Sequence, residues 1–154
     1  MKEIKIETKI EVISIEELSP LDAELMNKAV SAAKDAYAPY SGFHVGVALM
    51  LTNGKIIVGN NQENAAYPSG LCAERVALFT AGAQYPNIPV RDIAIAAIKD
   101  GEVRSHISPC GACRQVMFES ENRGKVPMRI LLCGNEEIQV ISSARDLLPL
   151  AFTL

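Results

Sequence analysis

Pro109-Cys110-Gly111-Ala112-Cys113 constrains this chain more than any other segment. Three residues along a helix turn through about 300°, so both thiols of the pair share one face. Cys72 lies far upstream and opens another predicted helix. All three cysteines are predicted at helix N-termini, where partial positive charge favours thiolate over thiol. If they act together, the fold must bring the starts of two distant helices to one point. Three thiolates with one open place is the pattern of catalytic zinc, and no fourth Cys or His lies at suitable spacing.

Glu74 follows Cys72 at plus two, about 200° around a helix. That offset places it beside a metal-bound water rather than among the ligands. A carboxylate there can take the water's proton and pass it on, while zinc makes hydroxide available near neutral pH. Zinc with three thiolates carries net negative charge, which calls for a nearby cation. Arg75 and Arg114 directly follow Glu74 and Cys113. Two blander readings compete. A redox Cys-x-x-Cys pair leaves Cys72-Ala73-Glu74 without a role, and a structural zinc lacks its fourth ligand. Cys133, within an apolar run, reads as a core thiol. His44 and His106 stand isolated and read as structural or solvated.

The 154 residues suit one domain, and 49% hydrophobic with 21% charged residues is ordinary for a globular chain. The net charge of −3 comes with no basic block, so neither nucleic acid nor an anionic membrane is an expected partner. The longest apolar run, Val45–Leu51, falls far short of the roughly 20 residues of a membrane span. The N-terminus has no secretory h-region, so the expected compartment is the cytoplasm, where close cysteines suggest metal or catalysis over disulfides.

Residues 1–19 form an N-terminal extension whose opening alternates with period two. Ile4, Ile6, Ile10 and Val12 lie on one side and Glu3, Lys5, Glu7, Lys9 and Glu11 on the other. That pattern predicts a half-buried strand. Ser19-Pro20 starts a helix whose apolar stripe runs from Leu21 to Tyr37, and Pro39 ends it. Val45–Leu51 and Lys55–Gly59 read as a hairpin across Asn53-Gly54, with positive φ at both turn residues. Helices follow at Cys72–Ala83 and Gly111–Asn122, strands at Asp92–Ile98, Met128–Cys133 and Glu137–Ile141, and a terminal helix at Ser142–Leu148. The interleaving predicts an α/β fold with one mixed sheet covered by helices.

Cys72-Ala-Glu-Arg75 and Pro109-Cys-Gly-Ala-Cys-Arg-Gln115 resemble the small, homotetrameric class of cytidine deaminases. Ala36–Ser41 with Phe43–Gly46, Asn61–Pro68 and Leu147–Phe152 extend the likeness over residues 20–154. The resemblance implies a three-layer α/β/α catalytic domain with a five-stranded mixed sheet, the N-terminal strand being extra. It implies zinc-dependent hydrolytic deamination of cytidine and 2′-deoxycytidine to uridine and 2′-deoxyuridine, releasing ammonia, in pyrimidine salvage. By the same likeness Cys72, Cys110 and Cys113 hold the zinc and Glu74 shuttles the proton. Asn61 and Glu63 bind the ribose, Phe43 lines the pyrimidine pocket, and Ala73 offers backbone groups to the base. Phe152 reaches in from a neighbouring subunit, Arg75 tunes the zinc charge, and Tyr67 supports the loop. Blasticidin-type deaminases share the cysteine and glutamate pattern and are the alternative. The chain departs from the family at Asn60 and Gln62, polar where the family is usually apolar or Cys. It also departs at Leu150, where Gly is common.

Overall fold

The computed structural model describes all 154 residues, Met1–Leu154. Strands β1 (Glu11–Ser14), β2 (His44–Leu51), β3 (Ile56–Asn60), β4 (Val90–Lys99), β5 (Glu102–Arg104), β6 (Arg129–Leu132) and β7 (Glu137–Ile141) form one sheet. Helices α1 (Pro20–Lys34), α2 (Ala73–Gln84) and α3 (Gly111–Gly124) cover it. The sheet order is β1-β7-β6-β4-β2-β3, with β5 also paired to β4. Only β4 and β6 run parallel; the other pairings are antiparallel.

Alternation along β2 explains the three layers. Val47, Leu49 and Leu51 join Ala73, Ala77 and Met117 in the core beneath α2 and α3. Ala48 and Met50 point the other way, to Leu25 and Ala29 of α1. Every one of these residues is buried, as a sheet covered on both faces requires. Gly46 lets α1 lie close: a Cβ there would stand 2.1 Å from the Ala29 carbonyl oxygen. As expected, Cys133 is buried in the α1-side core. Burial pushes its thiol up to about 12.

The sequence and the structure differ at several local points. The N-terminal strand is confined to Glu11–Ser14; Ile4, Ile6, Ile10 and Val12 are all exposed. Its partner β7 has five residues, so there is little ladder to join. Helix α1 ends at Lys34, ahead of Pro39, and Tyr37 is 54% exposed outside it. The Asn53-Gly54 turn has positive φ at Gly54 alone. Gly54 N–H donates to Leu51 O and Leu51 N–H to Lys55 O, a three-residue connection with one left-handed glycine. Asp100-Gly101 instead has positive φ at both residues and closes the β4–β5 hairpin, which sequence reading missed. Thus the sheet has seven strands, not five plus one. The C-terminal helix is a short 3-10 turn, Ala144–Leu147.

Two buried carboxylates tie the layers together. Arg129 of β6 donates from Nη1 and Nη2 to the two oxygens of Asp22 in α1, at 2.7 and 2.8 Å. This ion pair holds the Asp22 carboxyl below its ordinary range. Its stabilisation is therefore present above the unfolded carboxyl value near ~4 and lost as pH falls through the folded one. Asp22→Asn is expected to cost roughly 3 kcal/mol at pH 7, from urea unfolding, with a smaller deficit in acid. The second carboxylate, Glu121 of α3, accepts from Met128 N–H, Ala144 N–H and the Ser143 hydroxyl.

Candidate metal and nucleoside site

Two cysteines begin the two helices on one face of the sheet. Cys72 caps α2 in extended geometry, but its sulfur makes no capping bond, leaving it available. Cys110 caps α3, where its sulfur accepts from Cys113 N–H at 3.4 Å. The sulfurs of Cys72 and Cys110 are 4.0 Å apart, and those of Cys110 and Cys113 are 3.4 Å apart. All three lie within 4.8 Å of one another. Tetrahedral zinc with Zn–S bonds near 2.3 Å sets sulfurs about 3.8 Å apart. The donor set fits that ion, and a simple Cys110–Cys113 redox pair gives no reason for Cys72 to join it.

The surroundings polarise the cluster. Arg75 Nη2 donates to Cys72 Sγ at 3.4 Å. Hydrogen bonding with Cys113, and then the Arg75 guanidinium, pull the Cys72 thiol down to about 5. Cys113 is pushed upward by its bond with Cys72 and by burial. The Arg75 guanidinium thus supplies positive charge directly beside the Cys72 sulfur. Glu74 is 5% exposed, and burial raises its carboxyl above the ordinary range, with the Cys72 charge adding to the effect. Helix geometry keeps Glu74 out of the ligand set but close enough to feel Cys72 and Cys113. Arg114, expected near the thiolates, donates instead to the carbonyls of Pro109 and Leu147. Its guanidinium fixes the start of α3 to the C-terminal segment.

A cavity of about 600 Å³ opens beside Cys72 and Arg75 and is lined by Tyr40, Ser41, Asn61, Glu63 and Tyr67 among others. Asn61 stitches its loop to β2: Oδ1 accepts from Val45 N–H at 2.7 Å, and Nδ2 donates to Phe43 O at 3.0 Å. Glu63 accepts from the Tyr40 and Ser41 amides and from the Ser41 hydroxyl. The Ser41 hydroxyl is the main cause that holds its carboxyl low. Sequence reading left Tyr40 and Ser41 without such a role; the signal in the sequence was the glycine directly after them, Gly42, whose positive φ turns the chain in the structure. Asn60 Nδ2 donates to Ala32 O, and Gln62 Nε2 to Asn60 Oδ1, so these polar residues brace the loop against α1.

Ala73 is fully buried at the start of α2. Phe43 is half-buried and outside the cavity lining. Phe152 is 68% exposed and does not line its own chain's cavity, and its carbonyl accepts from Gln115 Nε2. Leu150 adopts φ 57°, the left-handed region in which glycine is easier. His44 Nδ1 is buried without a partner, and His106 Nε2 lies 3.3 Å from the Glu137 carbonyl.

Comparison with known proteins agrees with this geometry. Residues 19–128 match the model of the cytidine and deoxycytidylate deaminase zinc-binding region. A cytidine deaminase of Halalkalibacterium halodurans is 44% identical over 131 residues, covering 84% of this chain and 92% of that protein. One of Mycobacterium tuberculosis is 36% identical over 138 residues, covering 84% and 88%. The crystal structure of cytidine deaminase from Burkholderia pseudomallei superposes with a TM-score of 0.69 at 42% identity, covering 84% of this chain and 98% of that one. No helix of the present chain is long and apolar enough to cross a membrane. With the family signature spanning the paired helix starts and relatives matched over nearly their whole length, the chain belongs to the cytidine deaminase family of zinc-binding hydrolases.

Proposed function

We propose that this enzyme converts cytidine and 2′-deoxycytidine, with water, to uridine and 2′-deoxyuridine and ammonia, serving pyrimidine salvage in the cytoplasm. The observation that carries the reading is three sulfurs within reach of one ion, at the start of the helix whose first turn carries the buried Glu74. Cys72, Cys110 and Cys113 hold the zinc. When bound there, zinc supplies Lewis acidity that makes water a nucleophile toward ring C4 near neutral pH.

Glu74 accepts the proton that the water sheds and delivers it to ring N3. It then takes the second proton from the hydroxyl that has added to C4 and delivers it to the amine nitrogen, so that the C4–N bond breaks, ammonia leaves and C4 becomes a carbonyl. A carboxyl raised above its ordinary range by burial is a stronger base than a solvated one, which favours taking the proton from water. Arg75 offsets the negative charge of the thiolate cluster through Cys72. The Ala73 backbone addresses the base and Phe43 packs beside the ring. Asn61 and Glu63 turn their remaining donor and acceptor capacity to the ribose hydroxyls. Phe152, exposed and absent from the lining of its own cavity, closes that of a neighbour in a homotetramer.

Ultraviolet assay of purified, zinc-loaded protein tests the reading. Cytidine absorbance should fall with time, stop on chelation and resume on zinc addition. Absence of nucleoside consumption would overturn it. Strong blasticidin turnover with weak cytidine turnover would reassign the substrate.

A further inference from the structure

Residues 1–10 carry the most regular pattern in the chain, and the structure leaves it unused. Ile4, Ile6, Ile10 and Val12 are 84%, 55%, 49% and 56% exposed. On the opposite parity, Lys5 pairs with Glu7 and Lys9 with Glu11. These are contacts between neighbours on one face of an extended chain. The segment runs directly into β1, the terminal strand of the sheet, which is bonded to β7 on one edge only. An exposed edge continuing into an alternating segment is a template for another strand.

The sequence itself identifies the occupant. Laid antiparallel on a second copy about a two-fold axis at Thr8, Ile4 faces Val12 and Ile6 faces Ile10. On the other side Lys5 faces Glu11 and Glu7 faces Lys9. Each pairing occurs twice by symmetry, so one face of the ribbon is apolar and the other alternates opposite charges. Opposed apolar and opposite-charge pairs both stabilise such a ladder. A slip of the two-fold by one residue either way sets Lys5 against Lys9, or Glu7 against Glu11, and is repelled. The pattern is self-complementary in this register, as a two-fold interface demands.

We propose that residues 4–12 pair antiparallel with the same residues of a second copy of this chain, centred on Thr8. The Thr8 hydroxyl already donates to the Asp146 carbonyl and ties the centre of the segment to the body. The interface is independent of the deaminase reading, because it uses no residue of the metal or nucleoside site.

The test is register-specific cross-linking of the zinc-loaded full chain. Ile4→Cys and Val12→Cys variants are mixed and treated with diamide, beside the parent and each variant alone. Both positions are exposed, so folding is not at stake. A disulfide-linked dimer is expected in the mixture well above the parent background, with neither variant giving it alone. No cross-link in the mixture would overturn the proposal. Cross-linking of either variant alone would also do so, since it indicates parallel or slipped pairing. In a second arm, the same cysteines are placed in a background with Glu7→Lys and Glu11→Lys on both chains. Cross-linking should slow at least about tenfold. It should recover when one chain instead carries Lys5→Glu and Lys9→Glu. An unchanged rate in the like-charged mixture would exclude the register.

Discussion

Glu74→Gln is expected to lower kcat/KM for cytidine by about 10⁴-fold while leaving roughly one zinc per chain. Glutamine keeps the volume and hydrogen-bonding shape of the side chain but cannot carry a proton between water, ring N3 and amine. The side chain is buried at the first turn of α2, so the substitution removes a buried ionisable group rather than a surface contact. The carboxyl is costly to ionise where it sits, because desolvation and the Cys72 charge both oppose it. Glutamine therefore should not weaken the fold, and Tm should hold or rise slightly. This combination separates chemistry from scaffolding: lost turnover with retained metal and stability. A variant as fast as the parent would remove Glu74 from the reaction, whatever its neighbours suggest.

Cys113→Ser should abolish both zinc binding and turnover, measured by metal analysis and the ultraviolet assay. Cys113 is fully buried at the first turn of α3, and its sulfur lies against that of Cys110. A hydroxyl there is a poor zinc ligand at neutral pH and leaves two sulfurs on separate helices to hold the ion. A metal that binds only the native state stabilises it by about 4 kcal/mol when present at ~1,000 times its dissociation constant. The parent should therefore show a Tm that rises with zinc and falls with chelator. The serine variant should show a low Tm that ignores both. Full zinc content and parental rates in that variant would mean the metal lies elsewhere.

Much of the site was legible because helix starts leave strong local marks. Ser19-Pro20, Cys72 and Pro109-Cys110 each stand where a helix begins. The meeting of Cys72 with Cys110 was not local information. It depends on α2 and α3 packing on the same face of the sheet, which spacing along the chain does not encode. The N-terminal strand shows the opposite limit. Its alternation states which residues share a face but not what will cover that face, and of the alternating run β7 pairs only with Glu11 and Val12. The β2–β3 hairpin stands where expected, but its turn differs in type, and a second hairpin at β4–β5 was missed. Asn53-Gly54 and Asp100-Gly101 are both two-residue turn signals, but the loop length was set by the strands that flank each one. The loop contacts of Asn61 and Glu63 lay beyond sequence reading, because they join segments far apart along the chain.

Helix α3 does more than carry two thiols. Arg114 grips the Leu147 carbonyl, Gln115 the Phe152 carbonyl, and Glu121 the Ser143–Ala144 corner. The last dozen residues are thus riveted along the barrel of the helix that presents Cys110 and Cys113. A tilt of that rod would swing the tail and the sulfurs together, so the exposed ring of Phe152 and the spacing of the three thiols are geared to one shaft.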